Sequence, residues 1–139
     1  MKYKNNPLNI RNSNSYKWQG QSGSKKGFCE FTELEYGIRA ACYLIMVSYR
    51  KAGVNTLASI IRRWAPASDN NPTDSYIEFV GERTNLLRWA PINTPEKVAK
   101  IVIAMAEFEQ GRKPEFDCTQ VVDIIDKYHL RFFTKNKTL

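Results

Sequence analysis

Apolar residues recur at helical spacing in five stretches of this chain. In one stretch, Leu57, Ile60, Ile61 and Trp64 occupy the i, i+3, i+4 and i+7 positions, which share one face of a helix. The same spacing predicts helices over about 32–51, 55–63, 73–81, 94–111 and 119–128. The pattern therefore indicates a mainly α protein of about five helices.

Capping residues mark several of the expected helix ends. Thr94-Pro95-Glu96 places an N-cap threonine, a first-position proline and a first-turn acid in the preferred order, and Gly111 is the expected stop. Thr32-Glu33-Leu34-Glu35 has the spacing of a capping box, which gives Glu35 a structural role. Thr73 and Thr119 are the expected caps of two further helices.

The first 27 residues lack the periodicity of a helix or a strand. Residues 5–27 are rich in Asn, Ser, Gly, Lys and Gln, with Tyr16 and Trp18 among them. Loops of this length in a small domain are usually disordered or functional, and the aromatic residues favour a binding segment that folds over the domain. A short extended piece is expected over Phe28 to Phe31.

The size and composition limit the classes of protein to consider. With 139 residues, 42% hydrophobic and 25% charged, residues 1–139 are expected to form a single compact domain and not a disordered chain. The longest apolar run, Ala40 to Val47, is too short to span a bilayer, and no signal peptide is recognisable at the start. We expect synthesis in the bacterial cytoplasm, without membrane insertion.

The cysteines do not follow a metal-binding pattern. Cys29, Cys42 and Cys118 are widely spaced, and His129 is the single histidine of the chain. This set matches no zinc template, so we expect reduced thiols, no metal site and no cofactor.

Positive charge is concentrated at both ends of the chain. Residues 1–27 contain six basic residues and residues 127–139 contain four, with no acid in either range, so the ends carry +10 and the middle −3. We expect a basic loop segment over 1–27 and a frayed basic tail over 131–139. If the termini lie close together, they form one patch over an acidic body, suited to an anionic polymer such as a cell-envelope glycan or nucleic acid. The alternative is a solubilising surface with two loose tails.

Carboxylates are the remaining candidates for catalysis, because no nucleophile elbow or phosphate-binding glycine loop is present. Glu109 continues the apolar stripe of Val98, Ile101 and Met105, and it lies in the last turn of its helix. Desolvation and the helix dipole would both raise its pKa, as a general acid near neutral pH requires. The alternative is that the helix has ended and Glu109 points into solvent.

Two other acids are weaker candidates for a catalytic role. Glu35 has the structural explanation of the capping box, which we favour. Asp69 lies in a loop where aspartate is ordinary turn chemistry, although it could supply the second carboxylate of a glycosidase.

Several short motifs resemble lysozyme-like peptidoglycan hydrolases, the lytic transglycosylases and glucosaminidases, and in particular small phage and prophage virion proteins. The motifs at the N-terminal end are Asn5-Asn6-Pro7-Leu8-Asn9-Ile10-Arg11, Trp18-Gln19-Gly20, Phe28, Phe31 and Gly37-Ile38-Arg39-Ala40. Those further along are Trp64-Ala65-Pro66, Asp69, Asn70 or Asn71, Thr73, Tyr76, Met105, Glu109 and Gly111. The resemblance covers nearly the whole chain and implies a lysozyme-like helical domain.

In lysozyme-like enzymes the helix with the catalytic glutamate precedes the Asn-Asn-Pro segment, whereas here five residues precede Asn6. Either this chain is a noncatalytic relative, or the glutamate helix has moved to the other end of the chain. We infer the second, a circular permutant with Glu109 as the acid, since closely spaced termini make permutation easy.

The resemblance further implies a set of substrate-binding residues. Asn6, Asn9 and Arg11 would line the cleft, Tyr76 would orient the sugar or the acid, and Trp18 would stack on a pyranose ring. The expected function is cleavage of the peptidoglycan glycan strand, as a muramidase or a lytic transglycosylase, at the cell wall or within a virion. The alternative is a noncatalytic virion protein that binds glycan or other virion proteins. Nucleic acid is not favoured as a partner, because no recognition helix is evident.

Overall fold

A computed structural model of the protein describes residues 1–135. Within that range the chain forms five α-helices and one two-stranded antiparallel sheet. In chain order they are β1 (Gln21–Lys25), β2 (Phe28–Phe31), α1 (Leu34–Tyr43), α2 (Leu57–Trp64), α3 (Thr73–Thr84), α4 (Pro95–Gln110) and α5 (Cys118–Lys127). The prediction of a mainly α fold is confirmed.

The N-terminal segment contains a β-hairpin that the sequence pattern did not predict. β1 and β2 pair antiparallel, with Ser24 opposite Cys29, and the turn residues Lys26 and Gly27 have φ of 53° and 86°. Positive φ at both turn positions suits a tight two-residue hairpin turn. The expectation of a loop through residue 27 was therefore wrong for β1, whose Gln-Ser-Gly-Ser-Lys sequence is too polar to show alternation.

The ends of α4 follow the capping prediction. The Thr94 Oγ1 accepts a hydrogen bond from the Lys97 N–H at 3.1 Å, Pro95 occupies the first turn, and Gly111 ends the helix at φ 74°. Because Gly111 adopts this left-handed conformation without a Cβ clash, the helix terminates directly after Gln110.

Three other expected caps were wrong. α1 begins after Glu33 without a side-chain cap, so Thr32 and Glu35 form no capping box. Thr73 is the first residue of α3, and its hydroxyl donates to the Ala65 carbonyl at 2.5 Å. α5 is capped by Asp117 instead of Thr119.

α4 lies at the centre of the hydrophobic core. It packs against α3 on one side and α5 on the other, and α1 contacts both α4 and α5. The buried residues of α4 are Val98, Ala99, Ile101, Val102, Ala104, Met105 and Ala106. At the C-terminal end of α4, the side chains of Glu109 and Gln110 contact the N-terminal segment of the chain.

The N-terminal segment lies directly on α1. A Cβ added at Gly37 would stand 2.0 Å from the Asn5 carbonyl oxygen, a distance that no side chain can tolerate. The Asn5 Nδ2 donates to the Phe31 carbonyl at 3.0 Å, which ties the segment to β2 as well. Gly37 therefore permits the close approach that positions residues 5–9.

The segment that follows α5 is not frayed over residues 131–135. The Phe133 N–H donates to the Met46 carbonyl at 2.9 Å, and the Arg50 guanidinium lies 5.1 Å from the centre of the Phe132 ring. Met46 belongs to a π-helical continuation of α1, Leu44–Tyr49. The remainder of the predicted tail, 136–139, lies outside the described residues. No helix within residues 1–135 combines the length and apolarity needed to cross a membrane.

Candidate functional site

The carboxyl group of Glu109 is held between two residues from distant parts of the chain. The Asn9 Nδ2 donates to its Oε1 at 2.8 Å, and the Tyr76 hydroxyl donates to its Oε2 at 2.9 Å. Asn9 precedes Glu109 by 100 residues, so this contact joins the N-terminal segment to the end of α4. Both carboxyl oxygens therefore have a fixed donor.

Burial raises the pKa of Glu109 above its ordinary value of 4.5. The hydrogen bonds from Asn9 and Tyr76 and the charge of Lys2 act in the opposite direction, because they stabilise the ionised form. Desolvation is the largest of these effects. The predicted direction of the shift agrees with the geometry, and the carboxyl group is only partly buried at the end of its helix.

Two asparagines position the N-terminal segment, and they do so differently. Asn9 adopts a left-handed conformation with φ 55°, and its side chain points to Glu109. Asn6 is fully buried: its amide donates to the carbonyls of Ile10 and Cys29, and its Oδ1 accepts from the Ile10 N–H. The placement of Asn6 in the cleft was therefore wrong, because its side-chain amide is already hydrogen-bonded to the backbone of Ile10 and Cys29.

Gln110 fixes the orientation of the Asn9 amide. Its Nε2 donates to the Asn9 Oδ1 at 3.2 Å and to the Pro7 carbonyl at 2.9 Å. Because the Asn9 oxygen faces Gln110, the Asn9 NH₂ group is directed at Glu109. Sequence analysis missed Gln110, and its only signal was the position next to Glu109.

Asn9 also lines an open cleft of about 270 Å³. Its lining includes Asn9, Arg11, Tyr16, Tyr49, Trp64 and Asp69. Glu109 is not part of the lining, and Asn9 is the residue that connects it to the cleft. The cleft combines aromatic rings, amide groups and charges of both signs, a lining that suits a polar ligand with flat faces.

Several of the predicted site residues reach the cleft and others do not. Arg11 and Asp69 both line it, Asp69 from a single 3₁₀ turn, Ala67–Asp69, between α2 and α3. Tyr76 is buried and contacts Glu109. Trp18 lies outside the cleft, in a neighbouring cavity, and packs edge-on against Tyr16 and Tyr43.

Glu35 belongs to a different part of the molecule. Its Oε2 accepts a hydrogen bond from the Lys127 Nζ at 2.8 Å and another from the Tyr128 hydroxyl. The Lys127 contact, followed by the Tyr128 contact, holds the pKa of Glu35 below its ordinary value. A carboxyl that stays ionised at neutral pH is unsuited to be a general acid.

The sequence prediction did not assign three aromatic or basic residues to the cleft that line it in the structure. They are Tyr16, Tyr49 and Arg63. Burial raises the pKa of Tyr49 to about 12, and the Arg63 guanidinium lies 5.7 Å from the centre of its ring. Trp64 donates from its Nε1 to the Leu8 carbonyl at 3.3 Å. Tyr49 follows the helical pattern of α1, so no sequence signal separated it from a core residue.

The thiols and acids do not assemble into a metal site within residues 1–135, where no three of the His, Cys, Asp and Glu side chains cluster suitably. Cys29 and Cys42 are buried, and Cys118 is exposed. Burial raises the pKa of the Cys42 thiol to about 12, so this thiol is not an active nucleophile.

Comparison with known proteins relates the chain to a bacteriophage protein. No protein-family model matches the chain. Protein P5 of Pseudoalteromonas phage PM2 is 33% identical to it over 114 residues, an alignment that covers 79% of this chain and 70% of the phage protein. A similarity of this extent reaches both the N-terminal and the C-terminal halves of the chain. The chain therefore belongs to the same family as this bacteriophage protein.

Proposed function

We propose that this phage-related protein cleaves the glycan strand of peptidoglycan, with Glu109 as the general acid and base. The observation that supports it is the arrangement of Glu109: a carboxyl with a raised pKa, held by Tyr76 and by Asn9, and Asn9 also lines a polar, aromatic cleft. Glycosidases require a carboxylic acid in such an environment.

The proposed reaction begins with proton transfer from Glu109 to the oxygen of the glycosidic bond. The bond between this oxygen and the anomeric carbon then breaks, and positive charge develops on the sugar. Asn9 and Tyr76 donate to the two oxygens of Glu109, so they stabilise the carboxylate that remains after the transfer.

The second step requires a nucleophile at the anomeric carbon, and two routes are open. In a hydrolase, a water molecule attacks and loses its proton to the Glu109 carboxylate, or to Asp69 if this group lies across the sugar. In a lytic transglycosylase, a hydroxyl of the substrate attacks and forms an anhydro ring, and its proton returns to Glu109. The second route needs a single acid.

The contact between the two ends of the site supports the permuted arrangement inferred from the sequence. Asn9 and Pro7 of the Asn-Asn-Pro segment contact Glu109 and Gln110 at the end of α4, although roughly 100 residues of chain separate them. In a circular permutant the segments of the site keep their spatial relation while their order in the chain changes. We propose that α4 takes the place of the glutamate helix that precedes this segment in lysozyme-like enzymes.

The experiment compares the wild type with Glu109→Gln on purified peptidoglycan, following turbidity and analysing the released muropeptides. Glu107→Gln is the matched control, because Glu107 lies two residues earlier on α4 and pairs with the exposed Arg83. We expect cleavage by the wild type and by Glu107→Gln, and none by Glu109→Gln. Anhydro ends would identify a transglycosylase, and reducing ends a hydrolase.

The second candidate is a noncatalytic phage protein that binds glycan or other virion components. It is consistent with the family relationship, which shows a phage protein. A folded wild type that binds peptidoglycan and cleaves none of it would replace our proposal with this one. Activity retained by Glu109→Gln would instead move the acid to Asp69, the carboxylate that lines the cleft.

A further inference from the structure

A second cavity adjoins the cleft and shares one wall residue with it. This cavity, which we call the Trp18 cavity, is lined by Tyr16, Lys17, Trp18, Gln19, Arg39, Tyr43 and Ser48, and has a volume of about 480 Å³. Tyr16 lines both spaces and is half exposed. The cleft and the Trp18 cavity therefore adjoin at the Tyr16 side chain.

Two buried donors of this cavity have no acceptor. Within residues 1–135, the Trp18 Nε1 and the Arg39 Nε are the buried side-chain polar atoms that lack a hydrogen-bond partner. Both residues line the same cavity. An unpartnered buried donor costs free energy, so these two show that the polar groups around this cavity are not all satisfied within the protein.

The charge of the cavity indicates what kind of acceptor a ligand would supply. Lys17 and Arg39 are the charged residues in its lining, and no acid is among them. Arg39 forms no ion pair within the described residues, and its guanidinium lies 5.9 Å from the ring centre of Tyr43 and 5.5 Å from that of Tyr128. The aromatic rings hold the guanidinium in place while leaving its charge uncompensated.

We propose that the Trp18 cavity binds a carboxylate, and that this carboxylate belongs to the peptide carried by the glycan strand of peptidoglycan. The assignment of the source rests on the proposed function. A carboxylate accepts several hydrogen bonds, and its negative charge would balance the positive charges of Lys17 and Arg39. The peptide extends sideways from the sugar, as a cavity beside the cleft requires.

The test follows the indole N–H signals of the protein by NMR during titration with muramyl dipeptide. Trp18→Phe assigns the Trp18 signal among the three tryptophans of the chain. We expect this signal to shift with muramyl dipeptide, and to shift little with the same compound after its carboxyl is converted to an amide or with neutral chitotriose.

Variants locate the binding site. Lys17→Gln and Arg39→Gln should each weaken binding by about tenfold, the usual effect of losing one charged hydrogen bond. Lys51→Gln removes an equivalent charge outside the cavity and should leave the affinity unchanged. Lys17 is exposed, so its variant decides the matter even if Arg39→Gln does not fold.

Three results would overturn the proposal: no shift of the Trp18 signal, an equal shift with the amide, or unchanged affinity in Lys17→Gln. Equal affinity for free D-glutamate would overturn the assignment to the peptidoglycan peptide. Binding is measured without cleavage, so the two proposals are tested separately. A protein that binds muramyl dipeptide but cleaves nothing would refute the proposed function alone.

Discussion

Two glutamates of this protein, Glu109 and Glu35, each accept hydrogen bonds from two side chains, yet their pKa values move in opposite directions. Glu109 is enclosed by Asn9 and Tyr76, two neutral donors, and burial raises its pKa. Glu35 accepts from Lys127 near the surface, and this contact lowers its pKa. The hydrogen-bond count is equal, so the charge of the donors and the access of water decide the difference.

Substitution of each glutamate by glutamine should give the largest difference between the two regions, measured as the rate of peptidoglycan cleavage. Removing a general acid typically costs about 10²- to 10⁴-fold in rate, so Glu109→Gln should lose essentially all cleavage. Glu35→Gln should keep at least half of it, because its carboxylate binds Lys127 away from the cleft. Muropeptide release from purified peptidoglycan measures both. Equal losses in the two variants would contradict the difference in role.

Gly37→Ala should disturb the Glu109 region through its backbone. The added methyl would overlap the Asn5 carbonyl, and relief of the clash would move the segment that carries Asn9. We expect a loss of about 3 kcal/mol in the free energy of unfolding, at the upper end for overpacking. Denaturant unfolding measures it. Gly23→Ala is the control, because no atom lies within 4 Å of a Cβ at Gly23, and a similar loss there would refute the steric explanation.

Tyr76→Phe tests whether the hydrogen bond from Tyr76 lowers the pKa of Glu109. Tyr76 donates to the carboxylate and thereby lowers the pKa, so removing its hydroxyl should raise the pKa further. The alkaline limb of the pH–activity profile should move to higher pH, and the rate should fall by about tenfold. The ring can keep its stacking on Phe108, at 4.0 Å. Tyr3→Phe is the control, and an unshifted limb would show that Tyr76 does not act on Glu109.

The smallest effects should appear in stability as a function of pH. The pKa of Glu35 is lower in the folded protein, so its contribution is present above its ordinary pKa of 4.5 and lost as the pH falls through the folded value. The pKa of Glu109 is higher, so its contribution is present below 4.5 and lost as the pH rises through the folded value.

Thermal unfolding over a pH series measures these contributions. Glu35→Gln should flatten the acid side of the curve, and Glu109→Gln should flatten the fall in stability above pH 4.5. Glu33→Gln, an exposed neighbour of Glu35, is the control. The same change of slope in both glutamine variants would contradict the opposite pKa shifts.

The helical part of the fold could be predicted because its signals are local. The apolar stripes of α2, α4 and α5 and the Thr94-Pro95-Glu96 start of α4 depend on residues within a few turns of each other. The hairpin of β1 and β2 could not, since β1 is polar on both faces and is defined by its pairing with β2. The Thr73 hydroxyl was expected to cap α3, but in the structure it donates to the Ala65 carbonyl.

The sequence by itself determined the mainly α class, the end of α4 at Gly111 and the unusual position of Glu109 on an apolar stripe. The tertiary structure alone decided that Asn9 reaches Glu109 while Asn6 is buried, and that Gln110 orients the amide between them. It also decided that Glu35 pairs with Lys127. These contacts join residues about 90 to 100 positions apart, and no local pattern encodes which distant donor a carboxylate will meet.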